Sequence, residues 1–272
     1  SDVGTWYFRW ELVIPFVPVM IIPYMSIDFF FIAAPFICRD EEELRTFARR
    51  VIFAILTAGL LFLLVPLRLV FDRPHVGGWL GTVFNPFILM DQPHNLFPSL
   101  HITLRTLLAE LYARHSGGIS RSAVYVWFSL VGLSTLLTHQ HQVIDVVGGF
   151  LLAGFCFYFF PSTPPGPSLT RNPRIGVYYY LGALAGLLAS AATWPWGVFL
   201  LWPSTALGIV ATAYWVPVPE IYRKRHGILP LSTRVVLGPV LVGQYLSLAY
   251  YRSQVRAWDE VTAGVWIGGK LG

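Results

Sequence analysis

Two histidines and an aspartate stand in apolar sequence. His101 lies in "FPSLHITL", and His141 and Asp145 lie in "LSTLLTHQHQVIDVVGG". An imidazole becomes a nucleophile or general base once a carboxylate accepts from one ring nitrogen and aims the other. His141 and Asp145 are four residues apart, the spacing that puts two side chains on one helix face. A second imidazole on a neighbouring helix supplies the matching general acid. Both histidines are expected in the first turn of a helix, where free N–H groups and a partial positive charge favour an anion. Arg68 and Arg73, in "RLVFDRP", add guanidinium forks suited to phosphate oxygens. Arg105 follows His101 by four residues and either reaches the same anion or pairs with Glu110 or Asp28. The constellation suits nucleophilic attack on an anionic centre.

Other histidines are assigned lesser parts. His139 is expected to cap a helix or touch the ligand. A zinc site on His139, His141 and Asp145 is the rival use of the same residues, although a His-x-His pair suits a strand or loop better than a helix face. His75 and His94 fall in a solvated loop, and His115 and His226 on the opposite side of the membrane. Cys38 and Cys156 belong to no CxxC pair and read as small apolar side chains. The site calls for no metal and no cofactor.

The elements that must position these groups are membrane helices. Of the 272 residues 55% are hydrophobic and 12% charged, with mean hydropathy +0.60; a soluble domain carries about 25% charged residues. Spans are expected at 12–37, 51–70, two within 122–160, 175–192 and 198–216, with a shorter apolar helix at 99–113. "CRDEEELRTFARR" should be wet, and the polar cluster at 138–142 should break 122–160 into two helices. The stretch 229–251, with Arg234, Pro239 and Gln244, lies in the interface or crosses; the interfacial reading is preferred. The expectation is an all-α, polytopic membrane bundle with a catalytic part at 1–161, further membrane helices at 162–257, and the start of a soluble domain at 258–272. The abrupt opening, without Met, fits a first span missing from this chain.

Alternating the spans puts Arg39, Arg45, Arg49, Arg50, Arg114, Arg121, Arg171, Arg174, Arg223, Lys224 and Arg225 on one side. Arg9, Arg68 and Arg73 fall on the other, eleven against three. The positive-inside rule then turns the His101 and His141 clusters away from the cytoplasm. The formal charge of +5 follows from the basic inner loops; no nucleic-acid-binding motif accompanies it. A transporter lined by Arg105, Asp28 and Glu110 is the reading from another class, but the segments show no internal repeat.

These motifs resemble the type 2 phosphatidic acid phosphatase superfamily over about residues 12–160. Its second motif, Pro-Ser-x-His, is met by Pro98, Ser99, Leu100 and His101. Its third, Ser-Arg-x5-His-x3-Asp, is met by Ser134, His141 and Asp145, with Thr135 in place of the Arg. Its first, a Lys with Arg-Pro seven residues on, keeps only Arg73 and Pro74; Pro66 stands where the Lys would be. The resemblance implies that His141 attacks phosphorus to form a phosphohistidine, Asp145 orients it and His101 protonates the leaving group. Arg73, Ser99 and Ser134 would hold phosphate oxygens. With two of the family's cations absent, a monoanionic diester is favoured over a nearly dianionic monoester. The pattern is similar to the inositol-phosphoceramide and sphingomyelin synthase branch, which moves phospho-headgroups between lipids. A lipid phosphotransferase or phosphodiesterase is expected, with a lipid monoester phosphatase as the alternative. The substrate would be a membrane phospholipid or lipid phosphate, met at the periplasmic face of a bacterial inner membrane. The ending "VTAGVWIG" resembles the opening strand of a dual-specificity phosphatase domain, implying a fused cytoplasmic phosphatase partner.

Overall fold

The computed structural model describes residues 4–71, 74–90, 96–163, 166, 171–216, 218, 220–254, 258–262 and 265–268. They form an all-α membrane bundle followed by a short β-hairpin. The chain divides into two compact units, Ser1–Pro164 and Pro165–Gly272. The first contains α1 (Ile21–Ile37), α2 (Glu41–Leu64), α3 (Gly78–Met90), α4 (Leu100–Arg114), α5 (Gly118–Leu137) and α6 (Val143–Phe159). The second contains α7 (Pro173–Ala192), α8 (Leu201–Trp215), α9 (Leu231–Val236) and α10 (Gly238–Gln254). It ends in antiparallel strands β1 (Trp258–Thr262) and β2 (Val265–Gly268). Among the described residues, five helices are long and apolar enough to cross a membrane: Pro18–Ile37, Glu41–Leu64, Gly118–Leu137, Pro173–Ala192 and Trp196–Trp215. The shorter apolar α6 joins them.

The first unit is organised around α4, which packs against α1, α2, α5 and α6. This position explains how a helix carrying Arg105, Glu110 and Arg114 belongs in the bundle. Its neighbours shield it from lipid, and polar residues in a membrane face the bundle interior. Leu107, Leu108 and Ile102 of α4 are almost wholly buried; Leu107 and Leu108 share the core with Ala54, Ala58, Phe128, Val131 and Cys156. Small residues let the backbones approach where hydrophobic driving force is weak. On α6, a Cβ added to Gly149 would lie 2.6 Å from the Ser99 carbonyl oxygen and 2.8 Å from Ile102 Cβ. A Cβ on Gly148 would meet the Phe97 ring at 2.6 Å.

One end of this unit is tied by charge. Arg50 of α2 donates to the Phe160 carbonyl (2.8 Å), Ser162 Oγ (2.9 Å) and Glu110 of α4 (3.3 Å). Arg114 pairs with Glu110 and, at 3.2 Å, with Glu43; His115 meets Glu43 at 2.9 Å. The segment 38–50, expected to be wet, is largely exposed or half-buried, but from Glu41 it is already helix and its last residue, Arg50, is buried. Asp40 accepts from the Glu43 N–H as an N-cap, Glu41 to Glu43 fill the first turn, and α2 begins there. Arg50 is only 5% exposed because three acceptors from two other segments satisfy its fork.

In the second unit α7 and α8 pair closely, Tyr179 stacking on Tyr214 and Trp215 donating to the Pro173 carbonyl. Over 229–251 the chain forms α9 and α10, separated at Leu237; α10 packs against α8 and is not among the helices long and apolar enough to span.

Candidate active site

At the end of the first unit opposite the ion-pair network, four separate segments meet. α4 starts at Leu100 because Ser99 caps it, its Oγ accepting from the Ile102 N–H at 3.2 Å. The Ser99 N–H donates to the Asp145 carbonyl at 3.0 Å, and Thr103 Oγ1 to the Gly149 carbonyl at 3.0 Å. These bonds fasten the start of α4 to the first turns of α6, and so His101 to the neighbourhood of His141. Arg105, four residues on along α4, lies one turn from His101. His101 stacks on Tyr24 of α1, ring centroids 4.2 Å apart. Tyr24 in turn shares a small core with Val76 and with Phe84 of α3.

His141 does not occupy the first helical turn. The helix begins at Val143 with Gln142 as N-cap, and His141 lies in the link before it. That link is held by the end of α5: the Thr135 carbonyl accepts from the Gln140 N–H (3.0 Å) and the His141 N–H (3.1 Å). Asp145, at the third helical position, reaches back to accept from the Gln142 N–H at 2.9 Å, half of a capping box. The same Oδ2 lies 3.7 Å from His141 Nδ1, just beyond a hydrogen bond. The two groups are brought close, through a cap and not along a helix face, but the expected hydrogen bond is not made. Asp145 is fully buried and His141 is 9% exposed.

The α6 N-terminus is not an open anion site either. Glu11, wholly buried, accepts from the Val143 N–H at 2.8 Å and the Phe8 N–H at 2.7 Å. A carboxylate from the segment before α1 thus answers the positive end of the helix. The same segment donates Val17 N–H to the Leu137 carbonyl. Gln142 lies between the Trp6 carbonyl and the Val70 N–H, its amide assigned so as to donate to the first and accept from the second. Glu11, Gln142 and Tyr24 are the site-forming residues that the motifs did not point to. The signal for Glu11 was its isolation: it is the only acidic residue between Gly4 and Ile27.

The remaining expected residues divide. Ser134 is fully buried and turns its Oγ onto the Val131 carbonyl at 2.7 Å, so its hydroxyl proton is already used. Ser99 Oγ is occupied as a cap acceptor. Arg68 is exposed while Leu67 and Leu69 are buried, so in this extended stretch its side chain leaves on the side away from the core. Arg73 and His94 lie outside the described residues. Arg105 pairs with neither Glu110 nor Asp28. Glu110 is taken by Arg50 and Arg114, Asp28 is on the exposed face of α1, and Arg105 Nη1 donates instead to the Phe128 carbonyl at 2.9 Å. His139 caps nothing: its backbone is left-handed (φ 54°), its ring stacks on Phe71 at 4.4 Å and its Nε2–H donates to the Ile14 carbonyl. His75 meets the Asn85 amide on α3. No group of three or more metal-ligating side chains occurs among the described residues.

What distinguishes this end of the bundle is unsatisfied polarity. His101 Nε2, His141 Nδ1, Asp145 Oδ1 and Arg105 Nε are all buried without a hydrogen-bond partner. Each such group costs about 1–3 kcal/mol, a cost that a polar ligand meeting them would offset. Comparison with known protein families, with curated proteins and with solved structures returns no match.

Proposed function

We propose that this chain is a membrane enzyme that cleaves a phosphate ester of a lipid and passes the phosphoryl-bearing group to water or to another lipid alcohol. The observation that carries the reading is the fastening of the start of α4 to the first turns of α6, which brings His101 near His141 in the link before α6, with the Asp145 carboxylate 3.7 Å from the His141 ring. With Nδ1 toward Asp145, the Nε2 lone pair of His141 is the group free to attack phosphorus. As the N–P bond forms, the P–O bond to the leaving alcohol breaks; His101, held as imidazolium by the negative charge of the bound phosphate, gives that oxygen a proton. A water or lipid hydroxyl then attacks the phosphohistidine, returning its proton to His101 and releasing His141. Asp145 stabilises the charge that develops on the His141 ring and keeps its tautomer.

A diester is preferred as substrate because the surroundings are poor in fixed cations and already hold two buried carboxylates, Glu11 and Asp145. The excess of Arg and Lys near the ion-pair end supports placing the histidines at the non-cytoplasmic face. The test is turnover by purified protein in lipid nanodiscs. It would be given a phosphodiester lipid labelled in the headgroup and, separately, phosphatidic acid. Headgroup transfer or release, lost in His141→Ala with the thermal transition preserved, is expected. Fast phosphatidic acid hydrolysis without diester turnover would replace this reading by the monoester phosphatase. Full turnover by His141→Ala would end both.

A further inference from the structure

α5 and α6 both pack on α4 but scarcely touch each other, so between them runs a gap whose floor is α4. Arg105 stands in that gap. It leaves α4 four residues after His101, about 6 Å further into the bilayer at the helical rise. Its Nη1 donates to the Phe128 carbonyl of α5, and its guanidinium carbon lies 4.9 Å from the centre of the Phe150 ring of α6. Gly132 of α5 leaves the room: a Cβ there would sit 3.1 Å from Arg105 Nε. Arg105 Nε is buried and has no partner. The gap opens outward, for Phe150 is 42% exposed and Ser129, a turn from Gly132, is exposed too. A cation in an apolar membrane groove costs about 2.5–3.5 kcal/mol on insertion scales and needs an anion or a task. Among the described residues no carboxylate answers it: Glu110 is held by Arg50 and Arg114.

We propose that the α5–α6 gap is the lateral doorway by which a lipid with an anionic phosphate headgroup reaches the histidines, and that Arg105 is the cation that draws the phosphate in. The lipid chains lie between α5 and α6, where the walls are apolar, and the headgroup rises along α4 towards His101 and His141. The destination rests on the proposed catalytic reading; the doorway itself does not require turnover.

The experiment uses the full chain in phosphatidylcholine vesicles. Traces of two photoactivatable lipids carry the same diazirine acyl chain, one being phosphatidic acid and the other uncharged diacylglycerol. Labelled residues are mapped by mass spectrometry. Phosphatidic acid should label the Ser129 and Val146 faces about fivefold more than diacylglycerol, the preference one basic group gives near a lipid phosphate. The outer face of α2 at Leu56, 68% exposed, should take both probes alike and serves as the reference for a folded protein. Arg105→Gln should equalise the two probes in the gap, and Arg105→Lys should keep most of the preference. Charge-blind labelling of the gap in the unmodified protein, or an unchanged preference in Arg105→Gln, overturns the proposal. Charge-selective labelling by a protein without phosphotransfer activity keeps the doorway and ends the catalytic reading. Active protein with charge-blind labelling ends the doorway alone.

Discussion

Gly149→Ala tests whether close helix packing, and not the histidines' chemistry alone, makes the site. The added Cβ would stand 2.6 Å from the Ser99 carbonyl oxygen and 2.8 Å from Ile102 Cβ, both on or beside the start of α4. Ordinary C···O contacts in helix interfaces are about 3.3–3.6 Å, so the two backbones must part by about 0.7 Å. Neither neighbour can yield by rotating a side chain, because one is a carbonyl and the other a Cβ. The displacement falls on the Ser99 cap, two residues from His101, while His141 and Asp145 stay with α6. Misplacement of reacting groups by 1 Å can cost about 100-fold, so 0.7 Å predicts a fall in kcat of about 20- to 30-fold. Stability should drop by about 1–3 kcal/mol from overpacking. Gly59→Ala in α2 is the control, since nothing lies within 4 Å of its added Cβ. It should be neutral or stabilising by up to ~1 kcal/mol. Turnover of a headgroup-labelled diester lipid and thermal unfolding in detergent read both variants. Gly149→Ala with unaltered kcat and midpoint would refute the claim that the α4–α6 approach sets the geometry.

Asp145→Asn should retain the cap to the Gln142 N–H, since an amide oxygen still accepts, yet lower kcat about 10²- to 10⁴-fold as the ring loses its orienting charge; steady-state kinetics with the unfolding midpoint separates the two effects. Arg50→Met should destabilise the first unit by about 2–3 kcal/mol, somewhat below the usual cost of breaking a buried pair because Glu110 is partly exposed. Chemical denaturation measures it, and diester turnover below the transition should be unchanged because the network lies at the far end of the bundle.

The membrane helices and the break at 138–142 were legible because apolar length and polar interruption are local properties. The start of α4 was legible for the same reason: Ser99 is a good cap directly before the periodic run. The conformation around His141 was not. Gln142 is a poor capping residue by type, so nothing in the sequence announced that the helix would wait until Val143. The His141–Asp145 spacing pointed to two neighbouring groups but not to their geometry, since a third-position carboxylate folds back over its own cap and stays 3.7 Å from the ring. Of the two roles expected for Arg105, pairing with Glu110 or Asp28 does not occur, because its contacts are a backbone carbonyl and an aromatic face, neither of which a charge pattern reveals. That 38–50 is wet was legible, but that α2 begins within it and buries Arg50 was not, because acidic residues in a first turn and an arginine satisfied by remote acceptors are as compatible with helix as with loop. α3 had no expectation at all; its role is to back Tyr24, which shows only in space.

Charge at the α6 N-terminus bears on which ester the site takes. Glu11 and Asp145 are buried there and already offset the helix's partial positive charge. A monoester dianion beside His141 adds one negative charge more than a diester. At an effective dielectric near 20 and a separation on the order of 12 Å, its repulsion by Glu11 is about 1.4 kcal/mol, or about tenfold. Glu11→Gln removes that charge while keeping one acceptor oxygen, and leaves one of the Phe8 and Val143 N–H groups without a partner. It should therefore cost about 1–3 kcal/mol in stability, so turnover must be compared well below the unfolding midpoint. Under those conditions the ratio of monoester to diester turnover should rise about tenfold, chiefly through the monoester's KM. A ratio that stays constant in a folded, active Glu11→Gln protein would mean that the buried carboxylates do not select the ester, and the preference for diesters would then have to come from the lipid groove or not exist.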